Sequence, residues 1–306
     1  MARRALVTGG AGFIGSHVAD ALLARGDEVV VVDALSTGKR ERVPDAASFE
    51  QLDIRDGAAL RRLVDGFRPQ AVFHLAAQAD VRVSVDDPGY DADVNVRGTV
   101  EVLRAAREVE ARVVFSSTGG ALYGETERIP SPEDTACRPM SPYGTAKLCA
   151  EQYLELENRL YGTRHVILRY GNVYGPRQDP HGEAGVVAIF FGRLLEGGTP
   201  LIFGDGRQTR DYVYVGDVVA ANLAAAGYGG GVTAFNIGTG TETDVVQLLS
   251  ISQEAAATSV APEHRPPRLG ELQRSCLDCG LAERELGWRP QVDIEQGLEQ
   301  TLASLR

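Results

Sequence analysis

Short apolar runs alternate along the chain with longer stretches in which apolar residues return about once per helical turn. The first run, Ala5-Leu6-Val7, enters a glycine-rich turn, and from there to Arg25 the residues Val18, Ala21, Leu22 and Arg25 fall one turn apart. A second run, 28–33, contains four consecutive valines and ends in Asp33. Further runs lie at 48–53, 71–77, 112–117 and 164–170. Between them 96–108 and 145–160 have helical spacing, which predicts Ala146, Ala150, Tyr153, Glu157 and Leu160 on one side of the second helix. Strands alternating with helices predict an α/β fold built on a doubly wound parallel sheet. Past Tyr170 the chain turns to glycine, proline and aromatic residues. A first domain over 1–170 and a smaller lobe over 171–306 are therefore expected, with a return strand near 233–240 joining the first domain.

The turn Thr8-Gly9-Gly10-Ala11-Gly12-Phe13-Ile14-Gly15 sits between a strand pattern and a helix pattern. Glycines there let the backbone bend sharply and let amide N–H groups approach a pyrophosphate at a helix N-terminus, where the dipole favours anions. Asp33 ends the next strand at about the ~20-residue distance from the turn expected of a ribose-binding carboxylate. A carboxylate in that place accepts hydrogen bonds from ribose hydroxyls and repels a 2′-phosphate, so NAD is the expected cofactor rather than NADP.

Tyr143-Gly-Thr-Ala-Lys147 follows Ser116-Ser117-Thr118 in the sequence. Positions i and i+4 of a helix share a face, so the Lys147 ammonium is expected beside the Tyr143 phenol. A phenol ionises near pH ~10 when unperturbed, and a neighbouring cation is expected to lower that value toward a useful general base. Thr118 or Ser117 then supplies a hydroxyl to the same substrate oxygen. The pair therefore suits alcohol–ketone redox chemistry.

With 306 residues and a net charge of −11, neither nucleic acid nor a membrane surface is expected as the main partner. The four cysteines, Cys137, Cys149, Cys276 and Cys279, read as reduced thiols. Cys276 and Cys279 have the spacing of half a zinc site without a second pair, so no metal is expected. Neither a signal peptide nor an apolar stretch of ~18 residues is evident, and a cytoplasmic protein is expected.

Together, the glycine turn, Asp33, His74-Leu75-Ala76-Ala77-Gln78, Ser116-Ser117-Thr118, Tyr143 with Lys147, Asn172-Val173-Tyr174-Gly175-Pro176-Arg177 and Arg210-Asp211-Tyr212-Val213-Tyr214-Val215 resemble the extended short-chain dehydrogenase/reductases. Within them the chain is most similar to UDP-glucose (UDP-galactose) 4-epimerases, over nearly its whole length. The resemblance implies a Rossmann fold with a C-terminal UDP-sugar-binding lobe. It implies that Gly9, Gly12 and Gly15 hold the NAD pyrophosphate and Asp33 its ribose, that Phe13 and Ile14 also bind the cofactor, and that Asp53 and Ile54 flank adenine. Leu75, Ala76, Ala77, Gln78, Asn95 and Ser116 would line the cofactor, Lys147 the nicotinamide ribose, and Tyr170 the nicotinamide side. Thr118, Tyr143, Asn172, Val187 and Phe203 would face the substrate, with Arg210 and Arg268 on the UDP pyrophosphate and Glu271 on the uridine ribose. Ser275, four residues past Glu271, would face the sugar C2 substituent.

One departure from the family pattern is an extra residue in Gly119-Gly120-Ala121-Leu122. Counting from the strand makes Thr118 the catalytic hydroxyl and keeps Ser117 as the alternative. Gly119, Gly120 and Ala121 cannot supply the acid pair of a 4,6-dehydratase or the carboxylate of a uronate decarboxylase. A UDP-glucuronate 4-epimerase, with Arg177 or His181 near C6, is the alternative activity, and a non-catalytic NAD-binding regulator the alternative class. The resemblance also implies a homodimer through the helices at 96–108 and 145–160, whose outer faces are expected to carry Val102, Val109, Leu148 and Leu156.

Overall fold

A computed structural model describes residues 3–179, 185–267 and 272–306. Its first half runs β1 (Arg4–Thr8), α1 (Phe13–Ala24), β2 (Glu28–Asp33), β3 (Ser48–Gln51), α2 (Gly57–Phe67), β4 (Ala71–His74), α3 (Val81–Asp86), α4 (Pro88–Ala92), a π turn (Asp93–Arg97), α5 (Gly98–Glu108), β5 (Arg112–Thr118), α6 (Gly119–Leu122), α7 (Pro142–Tyr161) and β6 (Val166–Tyr170). The second half runs β7 (Asn172–Tyr174), α8 (Val186–Leu195), β8 (Leu201–Phe203), β9 (Thr209–Arg210), β10 (Tyr212–Tyr214), α9 (Val215–Gly227), β11 (Ala234–Ile237), β12 (Thr243–Asp244), α10 (Val245–Ala255), β13 (Glu263–Arg265), α11 (Gly280–Leu286) and α12 (Ile294–Ala303).

Seven strands form one sheet in the order β11-β6-β5-β4-β1-β2-β3, and every pairing in it is parallel. The order reverses beside β1, so a crevice opens at the C-terminal strand ends where open α/β sheets bind ligands. Alternation along each strand feeds two cores. One face packs Val7, Val31, Phe73, Val114 and Leu168 against α1 and α9; the other packs Leu6, Val32, Phe115 and Ile167 against α2, α5 and α7. A third core, with Tyr174, Phe190, Phe191, Tyr212, Leu248 and Leu298, lies among α8, α10 and α12 and forms the smaller lobe. The chain passes between these bodies more than once: Val218 and Ala221 of α9 and Ala282 of α11 pack on the sheet although they follow residue 170. The return strand β11 pairs with β6, Asn236 facing Arg169 in register.

Local chemistry sets α7. Ser141 caps it by accepting from the Gly144 N–H, Pro142 occupies the first turn, and Gly162 in the left-handed region (φ 66°) ends it. Its buried stripe is Gly144, Ala146, Lys147, Ala150, Glu151 and Leu154, whereas Tyr153 and Leu160 are exposed. The stripe expected from apolar spacing is therefore rotated: two of the inward positions carry charge. Val102, expected on an outer face, is buried in the chain's own core with Val109 against it, while Leu156 of α7 is exposed. Among the described residues no helix is long and apolar enough to cross a membrane.

Candidate active site

At the end of β1 the chain bends back on itself at Gly9 (φ 71°), where a Cβ would stand 2.6 Å from the Ala76 amide nitrogen. A Cβ on Gly15 would fall on the Gly9 carbonyl oxygen. Two backbone segments therefore close on one another with no room for side chains, leaving the first turn of α1 bare. Ile14 packs into the core and the Phe13 ring lies edge-on to His17. Asp33 is buried beside this turn, accepting from the Ala11 N–H at 3.0 Å and the Leu35 N–H at 2.8 Å. Each oxygen has one main-chain donor, which fixes the carboxylate and leaves each a further lone pair for a hydroxyl. A bare helix N-terminus with a fixed carboxylate across it fits a dinucleotide.

The loop after β4 forms the next wall. The expected strand 71–77 ends at His74, because Ala76 turns its N–H to the Thr8 hydroxyl and Gln78 leaves the sheet for Asn95. Asn95 accepts from the Gln78 N–H at 3.1 Å and donates to the Gln78 carbonyl at 2.8 Å, gripping both main-chain groups. It also donates to Asp91 at 2.9 Å. Asn95 thus shapes the wall of Leu75, Ala76, Ala77 and Gln78, and it does so from within the π turn, not as a helix cap. Below it His74 is buried between Thr8 and Thr99. Thr99 donates to the Asn95 carbonyl, so His74 Nε2–H donates to Thr99 and Nδ1 accepts from Thr8. Burial, followed by the Lys147 charge, pulls the ring down to about 3 and keeps it neutral.

Asp53 accepts from Arg55 at 2.6 Å, and Arg55 also reaches Asp93 at 3.1 Å. The Ile54 side chain is buried in the core with Leu60 and Val102, so what Ile54 offers the crevice is main chain.

The carboxyl ends of β5 and β6 carry the chemistry. Alternation sends Ser117 to the α7 side, where it donates to Glu151, and Thr118 to the opposite side. Glu151 is gripped by Arg169 with Nη2 at 2.7 Å, and Arg169 donates in turn to Tyr123. Ser117, kept as an alternative catalytic hydroxyl, is therefore committed to a buried ion pair, whereas Thr118 makes no cap bond on α6. A Cβ on Gly120 would stand 3.3 Å from Asn172 Oδ1 and 3.9 Å from Thr118 Oγ1, so these two side chains flank the bare Gly120. Ser116 Oγ pairs with the Tyr170 hydroxyl at 3.0 Å, which also accepts from Asn222 at 2.8 Å. Tyr170 is buried within these bonds.

The start of α7 presses against α6 so closely that a Cβ on Gly144 would stand 2.8 Å from the Ala121 carbonyl oxygen. That approach sets the half-buried Tyr143 beside the Thr118 loop. Lys147 is buried one turn on: its Nζ donates to the Ser116 carbonyl at 2.9 Å and lies 4.7 Å from the Phe115 ring centre and 5.9 Å from that of Tyr143. The expected lowering of the Tyr143 phenol is not what the protein's own groups produce. Burial, then Asp91, pushes it upward, and Lys147 donates to the Ser116 carbonyl rather than to the phenol.

In the lobe, Arg210 donates to the Thr209 and Leu272 carbonyls at 2.7 and 2.9 Å. Asp211 behind it is a buried hub accepting from Thr239, Gly240, Leu277 and the Cys276 thiol. Cys279 accepts from the Gly238 N–H at 3.1 Å, and burial pushes both thiols up, Cys276 to about 12. Val187 is buried in the lobe's core, Phe203 ends β8, and Ser275 is buried. Arg268 and Glu271 lie outside the described residues, as does His181. Arg177, with φ 66°, pairs with Asp20 of α1 at 2.7 Å. Sequence reading missed Asp91, Glu151 and Arg169, although Glu151 stands one turn from Lys147 on the same face.

The chain is 48% identical to the UDP-glucose 4-epimerase of Mycolicibacterium smegmatis, over 99% of this chain and 98% of that protein. It superposes with a TM-score of 0.97 on the Thermotoga maritima UDP-glucose 4-epimerase with UDP-glucose, at 48% identity and over 99% and 98% of the two chains. Against the Thermus thermophilus UDP-glucose 4-epimerase in complex with NAD the TM-score is 0.93, at 47% identity over 98% of each chain. The NAD dependent epimerase/dehydratase family matches residues 5–238, and the chain belongs to that family.

Proposed function

We propose that this protein interconverts UDP-glucose and UDP-galactose by NAD-dependent epimerisation at C4, through a transient 4-keto sugar. The observation that carries this reading is Lys147 seated on the Ser116 carbonyl at the end of β5, 5.9 Å from the Tyr143 ring centre, in a chain nearly half identical to UDP-glucose 4-epimerases over its whole length. Gly9, Gly12 and Gly15 would hold the NAD pyrophosphate, Asp33 the adenosine ribose, and Lys147 the nicotinamide ribose. Bound NAD supplies the acceptor and donor for the hydrogen at C4 and, when oxidised, a positive charge that favours the Tyr143 phenolate.

Tyr143 removes the proton of the 4-hydroxyl and later returns one to the 4-keto oxygen, with Thr118 hydrogen-bonded to the same oxygen. Lys147 holds its positive charge on the same helix face. Asn172 and Arg210 sit toward the substrate pyrophosphate, and Ser275 toward C2. Burial of the site strengthens each of these polar contacts by excluding water.

UDP-glucuronate is not the favoured substrate, since Arg177 is tied to Asp20 on α1. Intact Tyr143, Lys147 and Thr118 argue against a non-catalytic regulator. A homodimer is supported by exposed Tyr153, Leu156 and Leu160 on α7 beside exposed Val81, Val83 and Val85 on α3, which packs on α7; a monomeric mass by light scattering at micromolar concentration would reject it. The absence of an apolar spanning helix among the described residues fits a cytoplasmic enzyme. Product analysis by NMR, with UDP-glucose, UDP-N-acetylglucosamine and UDP-glucuronate supplied separately, tests the activity. UDP-galactose from UDP-glucose is expected; turnover of UDP-glucuronate alone would overturn the reading.

A further inference from the structure

Asp91 is a carboxylate that the reaction as drawn does not use, and it is 1% exposed. It stands on α4, which packs on α7. Its Oδ1 accepts from Gln78 Nε2 and Asn95 Nδ2, both at 2.9 Å, while its buried Oδ2 has no hydrogen-bond partner. A buried carboxylate with half of its acceptor capacity unmet is costly unless its charge is balanced nearby.

Burial pushes the Asp91 carboxyl up, and the bonds from Gln78 and Asn95, followed by the Lys147 charge, work against that rise. Burial pulls Lys147 down to about 8, and Asp91 and then Glu151 work against that fall. Of these two acids, Glu151 is already gripped by Arg169 and Ser117. His74 of β4 is neutral, and Tyr143 of α7 is held as a phenol. Of the other charges on elements packed against α7, Arg97 pairs with Asp93, Arg107 with Glu157 and Glu101 with Arg61 and Arg104, Arg112 donates to main-chain carbonyls, and Arg82, Asp86 and Glu108 are exposed. Asp91 is left as the anion whose field falls on Lys147 without a cation of its own.

We propose that Asp91 is a positioning residue of the reaction: its buried carboxylate is the counter-charge that holds Lys147 as an ammonium ion against the Ser116 carbonyl. It thereby sets the pH range over which Tyr143 and Lys147 work. The link to turnover rests on the catalytic reading of that pair. The link between Asp91 and Lys147 does not.

Asp91→Asn isolates the charge. The amide oxygen keeps both bonds made by Oδ1, and the atom exchanged for nitrogen is the one without a partner. The chain has two lysines, Lys39 and Lys147, and Lys39 is exposed. Protein labelled with ¹³C at lysine Cε therefore gives two titrating NMR signals, one of them an internal control. An opposite charge at close range moves a titration by about one to three pH units. In Asp91→Asn the Lys147 midpoint is expected to fall by about one unit or more, with Lys39 unmoved. The alkaline limb of kcat against pH should fall in parallel while maximal kcat stays within about fivefold. A residue that only braced Gln78 and Asn95 would leave the Lys147 midpoint and the alkaline limb in place, since Asp91→Asn keeps both of those bonds. Asp91→Ser, which is smaller and also neutral, replaces the asparagine variant if that one does not fold. A Lys147 midpoint unchanged within about 0.2 unit in the folded neutral variant overturns the proposal. A shifted midpoint in a wild-type protein that does not epimerise would instead sink the functional reading and leave the Asp91–Lys147 link standing.

Discussion

The Lys147 ammonium donates to the main-chain carbonyl of Ser116 at 2.9 Å, tying the second turn of α7 to the end of β5. That bond locks the helix in rotation, so that Tyr143, one turn earlier, faces the Thr118 loop. Removing it takes away a charge and a strut together. Lys147→Met should lower kcat by roughly 10²–10⁴ and loosen NAD, whereas Tyr143→Phe should lower kcat equally and leave NAD bound. Steady-state kinetics and the NAD released on denaturation separate the two; more than a tenth of wild-type activity in Tyr143→Phe contradicts its role.

Ser117 and Thr118 are neighbours with opposite fates. Thr118→Ala should lower kcat at least tenfold with little change in Tm. Ser117→Ala removes a donor from the buried Glu151–Arg169 pair and should cost about 1–3 kcal/mol of stability with kcat nearly unchanged. The reverse pattern in paired kinetics and thermal melts would move the catalytic hydroxyl to Ser117.

Acid sensitivity has an identifiable source in His165. Its Nδ1 accepts from the Val113 N–H at 3.1 Å, and burial pulls the ring down to about 4 from 6.5. The unfolded chain takes up a proton that the folded chain refuses, so stability is whole above pH 6.5 and is lost as pH falls toward 4. At pH 5 the loss from this residue is about 2 kcal/mol. His165→Gln, whose carbonyl can accept from the same N–H, should flatten the fall in Tm between pH 7 and 5. An unchanged slope would show that His165 does not titrate there.

The glycine turn and Asp33 at the end of β2 were legible in the sequence because they are local: a tight turn and an acid at a strand end are written in neighbouring residues. The inner face of α7 was not, because Lys147 and Glu151 occupy it and apolar spacing then points to Tyr153 and Leu160, which face outward. Glu151 meets Ser117 and Arg169 only after the sheet assembles, 34 and 18 residues away. The role of Asn95 depended on the π turn, which shifts the helix face and has no sequence signature here. Val102 read as surface because alternation along a helix does not say which partner covers it.

In the proposed reading Ser275 faces the sugar C2 substituent. A small residue there should admit an N-acetyl group, so UDP-N-acetylglucosamine is an expected substrate. Overfilling a packed site costs ~1–3 kcal/mol; Ser275→Tyr should cut activity on the acetylated sugar tenfold or more and spare UDP-glucose. Equal losses on both sugars, measured in parallel by NMR, would remove Ser275 from the pocket wall.

In the proposed reaction C4 is inverted by removal and return of the same hydrogen. The direct measurement is ¹H NMR of UDP-glucose incubated in D₂O with the purified protein. UDP-galactose that retains protium at C4 is the predicted result, with none formed by Tyr143→Phe. No UDP-galactose, or UDP-galactose carrying deuterium at C4, would contradict it.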